Sequence, residues 1–478
     1  MAQGLTRQQL YDKIRLSSKD EVILQEMTRL GFWSKDSASA SPSALLIERE
    51  DTLRKELTDL LKEKQKYANQ EKLLAEMRAV RMEKALKKRQ ETKLRKEEQR
   101  KERAEEWAEQ KNNSILYLGE NVSAGLHKIV SDVTQLQKYG LPVWHDVNAM
   151  AAEMGLGLGE IRFLAFNRKV AHCSHYQHFY LPKKSGGKRL ISAPMPRLKA
   201  VQNWILHNIL YRIKNSDAAH GFVPGRSIVT NATPHVGKEL VINIDLRDFF
   251  PSVAYKRVKG LFVKLGYSEQ LATILGLLCT EPDVDEIVLD NRKYYVAKTE
   301  RHLPQGAQSS PAITNLICYK LDKRFEGLAA RHGYSYTRYA DDMTFSANGE
   351  GIEKAGQLMA FVKKVIKEEG FTIHPEKLRV MRKGDKREVT GVVVNDKLSI
   401  DRETLRKFRA LLHQISKTGL SQKQWGNGNI VSSLQGYANY VAMVKPGAGA
   451  KLKASINELF NRPEIKREAV SILGDKKE

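Results

Sequence analysis

The sequence is poor in cysteine and has no extended apolar segment. Its 478 residues include three scattered cysteines, Cys173, Cys279 and Cys318, which form no CxxC pair. This pattern argues against a disulfide framework and indicates reduced, structural thiols. No apolar run approaches the roughly 20 residues of a membrane-spanning helix, and the N-terminus has no apolar signal-peptide core. We therefore expect a cytoplasmic protein with no membrane partner.

Acidic residues are fewer than basic residues. The chain has 56 Asp and Glu residues and 80 Lys and Arg residues, which give a formal net charge of +24. Such a chain is expected to bind a polyanion, with nucleic acid ahead of an anionic membrane. The length is sufficient for two or three domains with a buried core.

Glycine and proline are absent between Pro42 and Gly119. Helix-forming residues dominate from Leu45 to Glu109, and this composition predicts one continuous helix near 100 Å long at about 1.5 Å per residue. An apolar residue recurs at every seventh position, but the companion heptad position is charged, which favours a solvated helix over a dimeric coiled coil. Its second half is rich in Lys and Arg. Either this half is a solvated face held by ion pairs, or it contacts an RNA backbone or a partner protein.

The texture of the sequence divides the chain into five parts. A small helical module at 1–35 and a Ser-rich linker at 36–44 precede the long charged helix at 45–114. From about Ile115 the pattern is mixed, because apolar β-type runs such as KELVINIDL and YSYTRYA alternate with helical runs. The end of the chain is helical and basic again. The fold class is therefore α+β.

Three acidic residues follow short apolar runs that are far apart in the sequence. Asp245 comes directly after the run containing Val241, and Asp341 and Asp342 lie at the predicted bend of a hairpin in SYTRYADDMTFSA. A turn needs only one such residue, and adjacent carboxylates repel each other. Two Mg²⁺ ions at a nucleotide-joining site require several hard oxygen ligands, and their charge offsets the repulsion.

The ordered set YLPKKSGGKRLISAP, HGFVPGRS, NIDLRDFFPSV, LPQGAQSSPAITN, RYADDMTFS and GFTIHPEK resembles the motifs of reverse transcriptases. The resemblance implies a right-hand polymerase, with fingers at 115–240, a palm with interleaved fingers elements at 241–394, and a thumb and tail at 395–478. It also implies that Asp245, Asp341 and Asp342 are the catalytic acids. They would bind two Mg²⁺ ions, with Mn²⁺ as a substitute.

The same resemblance implies a nucleotide site. Phe250 would select deoxynucleotides as a steric gate, although DFF leaves open that this ring is an ordinary core residue. Gln305 would line the incoming nucleotide. Arg189, with Lys188 and Lys184, would contact the triphosphate, or the two lysines are merely solvated. Lys377 would protonate the leaving pyrophosphate, or it is a surface residue.

Two further elements resemble the NAxxH and VTG signatures of retron reverse transcriptases: NATPH and VTGVV. They imply RNA recognition by Asn231, His235, Val389, Thr390 and Gly391, with a structural role for Asn231 and His235 left open. A capping role for Asn231 and an ordinary strand and turn at Thr390 and Gly391 are the alternatives. In the thumb-like SLQGYANYVAMV, Tyr437 and Tyr440 are candidates for the primer-template groove, or are core aromatics.

The retron resemblance implies a cognate non-coding RNA that serves as template and primer. Deoxynucleotides would be copied into a small DNA joined to the RNA by a 2′-5′ branch, and an effector protein would act with it in antiphage defence. About 35 residues follow the thumb motif, so we expect a host ribonuclease H to trim the template. The alternatives are a reverse transcriptase of group II intron or diversity-generating type, or an RNA-binding scaffold with a vestigial palm.

Overall fold

The computed structural model describes residues 6–16, 18–33, 42–182 and 186–474. The chain divides into two compact units, residues 1–108 and 109–478. Most of the predicted linker at 36–44 lies outside the described residues, and its last three residues begin a helix. No helix of the described ranges is both long enough and apolar enough to cross a membrane.

The first unit is helical and contains four helices within the described residues. They are α1 (Arg7–Leu16), α2 (Lys19–Arg29), α3 (Pro42–Ala68) and α4 (Gln70–Asn113). Ser18 caps α2 by accepting a hydrogen bond from the Glu21 amide at 3.0 Å. The Ser18 amide in turn donates to the buried carboxylate of Asp51 on α3, at 3.2 Å. This contact joins α2 to α3.

The predicted continuous helix is interrupted at Asn69. The Asn69 side chain accepts a hydrogen bond from the Lys72 amide at 3.3 Å, and its carbonyl accepts from the Leu73 amide at 3.1 Å. Asparagine is a poor helix former and a good N-cap, so it ends α3 and begins α4. The prediction of one unbroken helix is therefore wrong at this residue.

The second unit mixes helices and short strands, as the sequence predicted. Its helices are α5 (Val133–Lys138), α6 (Val147–Glu153), α7 (Leu158–Ala165), α8 (Pro196–Asn208), α9 (Ile228–Ala232), α10 (Tyr255–Lys264), α11 (Glu269–Cys279), α12 (Ser310–Ile317), α13 (Tyr319–His332), α14 (Glu350–Glu353), α15 (Ala355–Glu368), α16 (Arg402–Thr418), α17 (Ile430–Val444), α18 (Pro446–Asn461) and α19 (Pro463–Gly474). Its strands are β1 (Val170–Ala171), β2 (Tyr176–Pro182), β3 (Lys188–Pro194), β4 (Leu240–Asp245), β5 (Val284–Leu289), β6 (Arg292–Ala297), β7 (Tyr334–Tyr339), β8 (Asp342–Ala347), β9 (Arg379–Met381), β10 (Glu388–Val389) and β11 (Val392–Val393).

The central sheet has four antiparallel strands in the order β7-β8-β4-β9. Strand β4 lies between two apolar cores, because its side chains alternate between faces. Ile242 and Ile244 belong to the larger core, which spans Ile115 to Phe371. Val241 belongs to the second core, which consists mostly of residues from the C-terminal helices α16 to α19.

A buried ion pair lies beneath the β7–β8 hairpin. The Arg338 guanidinium on β7 donates two hydrogen bonds to the Asp322 carboxylate on α13, at 2.8 and 2.7 Å. Its third nitrogen donates to Asn315 Oδ1 at 2.9 Å and to the Ala340 carbonyl at 3.1 Å. Tyr336 donates a further hydrogen bond to Asp322 at 2.9 Å. Both charged side chains are fully buried, so the bonds replace their lost hydration.

The NATPH segment packs under the same sheet. His235 is fully buried, with Nδ1 2.6 Å from Ser346 Oγ and Nε2 2.8 Å from Thr337 Oγ1. Thr337 donates its own hydroxyl proton to the Asn231 carbonyl at 3.3 Å. The Thr337 oxygen is therefore free to accept from His235 Nε2, and the ring fits this site as a neutral imidazole. Burial lowers the pKa of His235 to about 3.

VTGVV forms the hairpin of β10 and β11, with Thr390 and Gly391 at its two-residue turn. Both have positive φ, 46° and 85°, a conformation that a β-branched residue rarely adopts. The buried Asn231 side chain donates to Thr390 Oγ1 at 3.3 Å, which connects the two signature segments. Because Asn231, His235 and Val389 are buried, their side chains are not available for the expected direct RNA contact, and their observed role is packing. Gly391 is exposed at the turn.

Replacing Arg338 by Met is expected to lower the free energy of unfolding by about 3–5 kcal/mol, because Asp322 is left buried and unpaired. Urea unfolding followed by tryptophan fluorescence measures the loss. The double variant with Asp322→Leu is expected to recover most of it. Lys407→Met, which breaks an exposed i,i+4 pair with Glu403, is the control and should cost about 1 kcal/mol or less. Equal losses in the two single variants would contradict the prediction.

His235 makes the second unit sensitive to acid. The unfolded chain binds a proton on this ring below about pH 6.5, whereas the folded chain resists protonation down to about pH 3. The stability contributed by the neutral ring is present above pH 6.5 and is lost as the pH falls toward 3. We expect the free energy of unfolding to fall by about 2 kcal/mol between pH 7 and pH 5 through this residue. Urea titrations of His235→Gln should lack that component; an unchanged pH dependence would refute it.

Candidate active site

The structure brings the three predicted acids to one edge of the central sheet. Strand β4 pairs with β8 in a register that places Asp245 directly opposite Asp342. Tyr339 pairs with Asp342 across the β7–β8 hairpin, so Ala340 and Asp341 form its two-residue turn. Residues nearly a hundred positions apart in the sequence therefore share one site.

The turn that carries Asp341 is held from two sides. Ala340 has a φ of 57°, which is unfavourable for a residue with a side chain. The Arg338 guanidinium holds the Ala340 carbonyl from below, at 3.1 Å. On the other side Gly221 lies so close that a Cβ atom there would be 2.5 Å from the Ala340 amide nitrogen. The glycine of HGFVPGRS therefore permits the close approach that fixes the turn.

All three acids are half-buried, including the two at the hairpin bend. Burial, together with the negative charges of Asp341 and Asp245, raises the pKa of Asp342 to about 7. Burial and the charge of Asp245 also raise the pKa of Asp341. Concentrated, poorly solvated negative charge of this kind is stabilised by a bound cation.

A lysine supplies part of the opposing charge. Lys377 Nζ lies 2.9 and 3.1 Å from the two carboxylate oxygens of Asp245. Across the described ranges, no three His, Cys, Asp or Glu side chains are already gathered as a complete metal shell. The donors are nevertheless all carboxylate oxygens on one sheet edge, a set that suits a hard divalent cation. The residues therefore fit the divalent metal ions that reverse transcriptases generally use.

A cleft of about 1090 Å³ is lined by Asp245 and Asp341, but not by Asp342, and contains most of the predicted nucleotide-site residues. Arg189 projects from β3, which pairs with β2 in a second hairpin. The Gln305 carbonyl accepts a hydrogen bond from the Ser192 amide of β3 at 2.8 Å. The predicted members that line the cleft are Arg189, Asp245, Phe250, Gln305, Asp341 and Lys377.

The structure distinguishes the two rings of DFF. Phe249 is 5% exposed and packs against Phe371 in the core, with ring centroids 5.6 Å apart. Phe250 is half-buried, lines the cleft and lies 6.5 Å from the ring of Phe222. Both rings border the cleft, but Phe250 is the more exposed of the two, and Phe249 belongs to the core.

Several other predicted residues lie away from the cleft. Lys188 is exposed on β3 and does not line it, and Lys184 lies outside the described residues. Tyr437 is half-buried and packs in an aromatic cluster, 4.4 Å from Phe408. Tyr440 donates its hydroxyl to the Gly391 carbonyl at 2.6 Å, so this side chain joins α17 to the β10–β11 turn.

Phe222 and His374 are among the residues of the cleft wall that were not predicted. Phe222 is 52% exposed and adopts a φ of 57°, which places its ring beside both Phe250 and Tyr339. His374 donates its amide to the Asp245 carbonyl at 2.8 Å. Both lie in quoted motifs, HGFVPGRS and GFTIHPEK, but only the backbone geometry shows that they reach the cleft.

Comparison with known proteins matches the chain to a family model, to relatives in sequence and to solved structures. A family model described as reverse transcriptase (RNA-dependent DNA polymerase) matches residues 181–394. Retron Mx162 reverse transcriptase of Myxococcus xanthus is 42% identical over 334 residues, covering 67% of this chain and 68% of the relative. Retron Ec86 reverse transcriptase of Escherichia coli is 33% identical over 328 residues, covering 68% and 92%.

Among solved structures, a telomerase from Candida albicans in complex with a fragment of telomeric RNA gives a TM-score of 0.34 at 10% identity, covering 63% of this chain and 61% of that one. A foamy viral protease-reverse transcriptase gives 0.34 at 13% identity, covering 76% and 49%. The family model and the curated relatives confirm the predicted reverse transcriptase fold and rule out a mere RNA-binding scaffold. The chain belongs to the retron reverse transcriptases and is an RNA-directed DNA polymerase.

Proposed function

We propose that Asp245, Asp341 and Asp342, together with the cleft that Asp245 and Asp341 line, form the polymerase active site. The observation that carries this proposal is the β4–β8 register, which sets Asp245 opposite Asp342 and places Asp341 in the adjoining turn. Two Mg²⁺ ions held by these acids, or Mn²⁺ in their place, would activate the attacking hydroxyl and neutralise charge on the phosphates. The acids themselves orient the reacting groups on a rigid sheet edge.

Each of the other predicted cleft residues contacts a different part of the nucleotide. The Arg189 guanidinium binds triphosphate oxygens, for which its planar fork is suited. Gln305 lines the base and sugar. Phe250 lies under the sugar and excludes a 2′-hydroxyl. Lys377 leaves Asp245 when a nucleotide binds and donates a proton to the departing pyrophosphate.

We further propose that the template is a structured non-coding RNA that also acts as primer. The product is a small single-stranded DNA joined by a 2′-5′ branch to an internal guanosine. The support is the joint presence of NATPH and VTGVV, the contact between Asn231 and Thr390, and the similarity to relatives named as retron reverse transcriptases. The hybrid acts in the cytoplasm with an effector protein in antiphage defence, and a host ribonuclease H trims the RNA.

Replacing Asp341 or Asp342 by Asn is expected to reduce primer extension by about 10²- to 10³-fold or more, because each removes a charged oxygen ligand. Asp290→Asn is the matched control. Asp290 is an exposed acid outside the cleft with a φ of 49°, which Asn tolerates, so this variant should keep its activity. Retained synthesis in Asp341→Asn and Asp342→Asn would refute the assignment.

The same variants test the branched product in cells that carry the flanking DNA. Cells with the wild-type chain should yield a short DNA whose mobility changes after ribonuclease and debranching treatment, and Asp342→Asn cells should yield none. A short DNA whose mobility does not change after debranching treatment would refute the branch and leave the polymerase assignment intact.

Phe250→Ala is expected to raise ribonucleotide incorporation relative to deoxynucleotide incorporation by about 10- to 100-fold, because the ring no longer fills the space of a 2′-hydroxyl. Single-nucleotide primer extension with matched dNTP and rNTP series measures the ratio. Phe250→Tyr keeps the ring and should keep the discrimination. Unchanged sugar selectivity in Phe250→Ala would place the gate elsewhere.

A further inference from the structure

Helix α4 segregates its charged side chains by face. At about 100° per residue, six basic residues lie within about 80° of one another around the helix axis. They are Arg78, Arg89, Lys93, Lys96, Arg100 and Arg103, and we call them the basic face. The acidic residues between Glu76 and Glu105 lie on the opposite side, interleaved with Lys84 and Lys87, except for Glu97 at the margin of the basic face. All six basic side chains are exposed.

Within the described residues, ion pairs do not offset the positive charge of the basic face. In the part of the chain that the structure describes, no ion pair involves any of its six side chains, whereas Lys87 on the opposite face pairs with Glu83 at 2.9 Å. Arg89 and Lys93 are four residues apart, as are Lys96 and Arg100. Like charges at this spacing destabilise a helix by about 0.2–0.5 kcal/mol per pair. A solvated helix stabilised by ion pairs would interleave the two signs all round, and only the opposite face of α4 does so.

The dimensions and composition of the face fit a nucleic acid backbone. From Arg78 to Arg103 it runs about 38 Å along one straight helix. No aromatic residue occurs in this span, and the nearest, Trp107, follows one turn beyond Arg103. Single strands are bound mainly through aromatic stacking on the bases, which this face lacks. A rigid row of cations instead matches the fixed phosphates of a duplex, whose A-form is recognised by shape and backbone.

We propose that the basic face of α4 binds the sugar-phosphate backbone of a double-stranded segment of the RNA that this enzyme copies. The proposal rests on the proposed function to the extent that the template is a structured RNA with stems. The contact is independent of sequence, since Lys and Arg side chains on phosphates read no base edges. It adds an RNA-binding surface in the first unit to the polymerase cleft in the second.

Two matched triple variants of the full chain test the proposal. The basic-face variant is Arg89→Gln, Lys93→Gln and Lys96→Gln. The control variant is Lys84→Gln, Lys87→Gln and Arg95→Gln, which removes the same three charges and the same residue types from the mixed face of the same helix. The probe is a blunt RNA duplex of arbitrary sequence, titrated by fluorescence anisotropy between about 50 and 200 mM salt. Far-UV circular dichroism checks that both variants keep the helix.

The basic-face variant is expected to bind the duplex at least about tenfold more weakly, and its logarithmic salt slope should fall by about three. The control variant should bind as the wild-type chain does. Unchanged duplex affinity in the basic-face variant would overturn the proposal and favour an acidic protein as partner, and equal losses in both variants would also overturn it. Primer extension on a saturating generic template should be normal in both, so this outcome is separate from failure of the active-site assignment.

Discussion

The buried pair of Arg338 and Asp322 is the interaction on which the active site depends. The Arg338 guanidinium donates hydrogen bonds to the Asp322 carboxylate on α13, to Asn315 Oδ1 on α12 and to the Ala340 carbonyl in the β7–β8 turn. One side chain therefore connects both helices to the turn. The turn needs such support because Ala340 adopts a positive φ next to two repelling acids. Holding Asp341 in this turn costs free energy, because the backbone at Ala340 is strained and the acids are partly buried. The hydrogen bonds of Arg338 offset that cost.

Strand content and the position of the acids could be predicted from the sequence, because apolar runs of β-type residues are local signals. KELVINIDL and YSYTRYA became β4 and β7, and the acids after them meet at one edge. The choice between Phe249 and Phe250 could not be made, because both follow the strand where its alternation has ended. Only the tertiary contact with Phe371 assigns Phe249 to the core.

Polar residues were the hardest to place from the sequence. For Asn231 and His235 it left RNA contact and a structural role open, and both are buried with hydrogen-bond partners from β7, β8 or the Thr390 turn. Hydropathy cannot reveal a polar residue whose partners lie more than 100 positions away. The break at Asn69 was also missed, because a single asparagine in a long helix-forming run changes local propensity only slightly.

The position of β4 between two cores has a mechanical consequence. Val241 packs with the C-terminal helices, while its neighbours Ile242 and Ile244 pack with the larger core, and the strand ends at Asp245. A change in the packing of the C-terminal helices therefore bears directly on the strand that ends at Asp245. The second core and the sheet edge of the candidate site are coupled through one short segment.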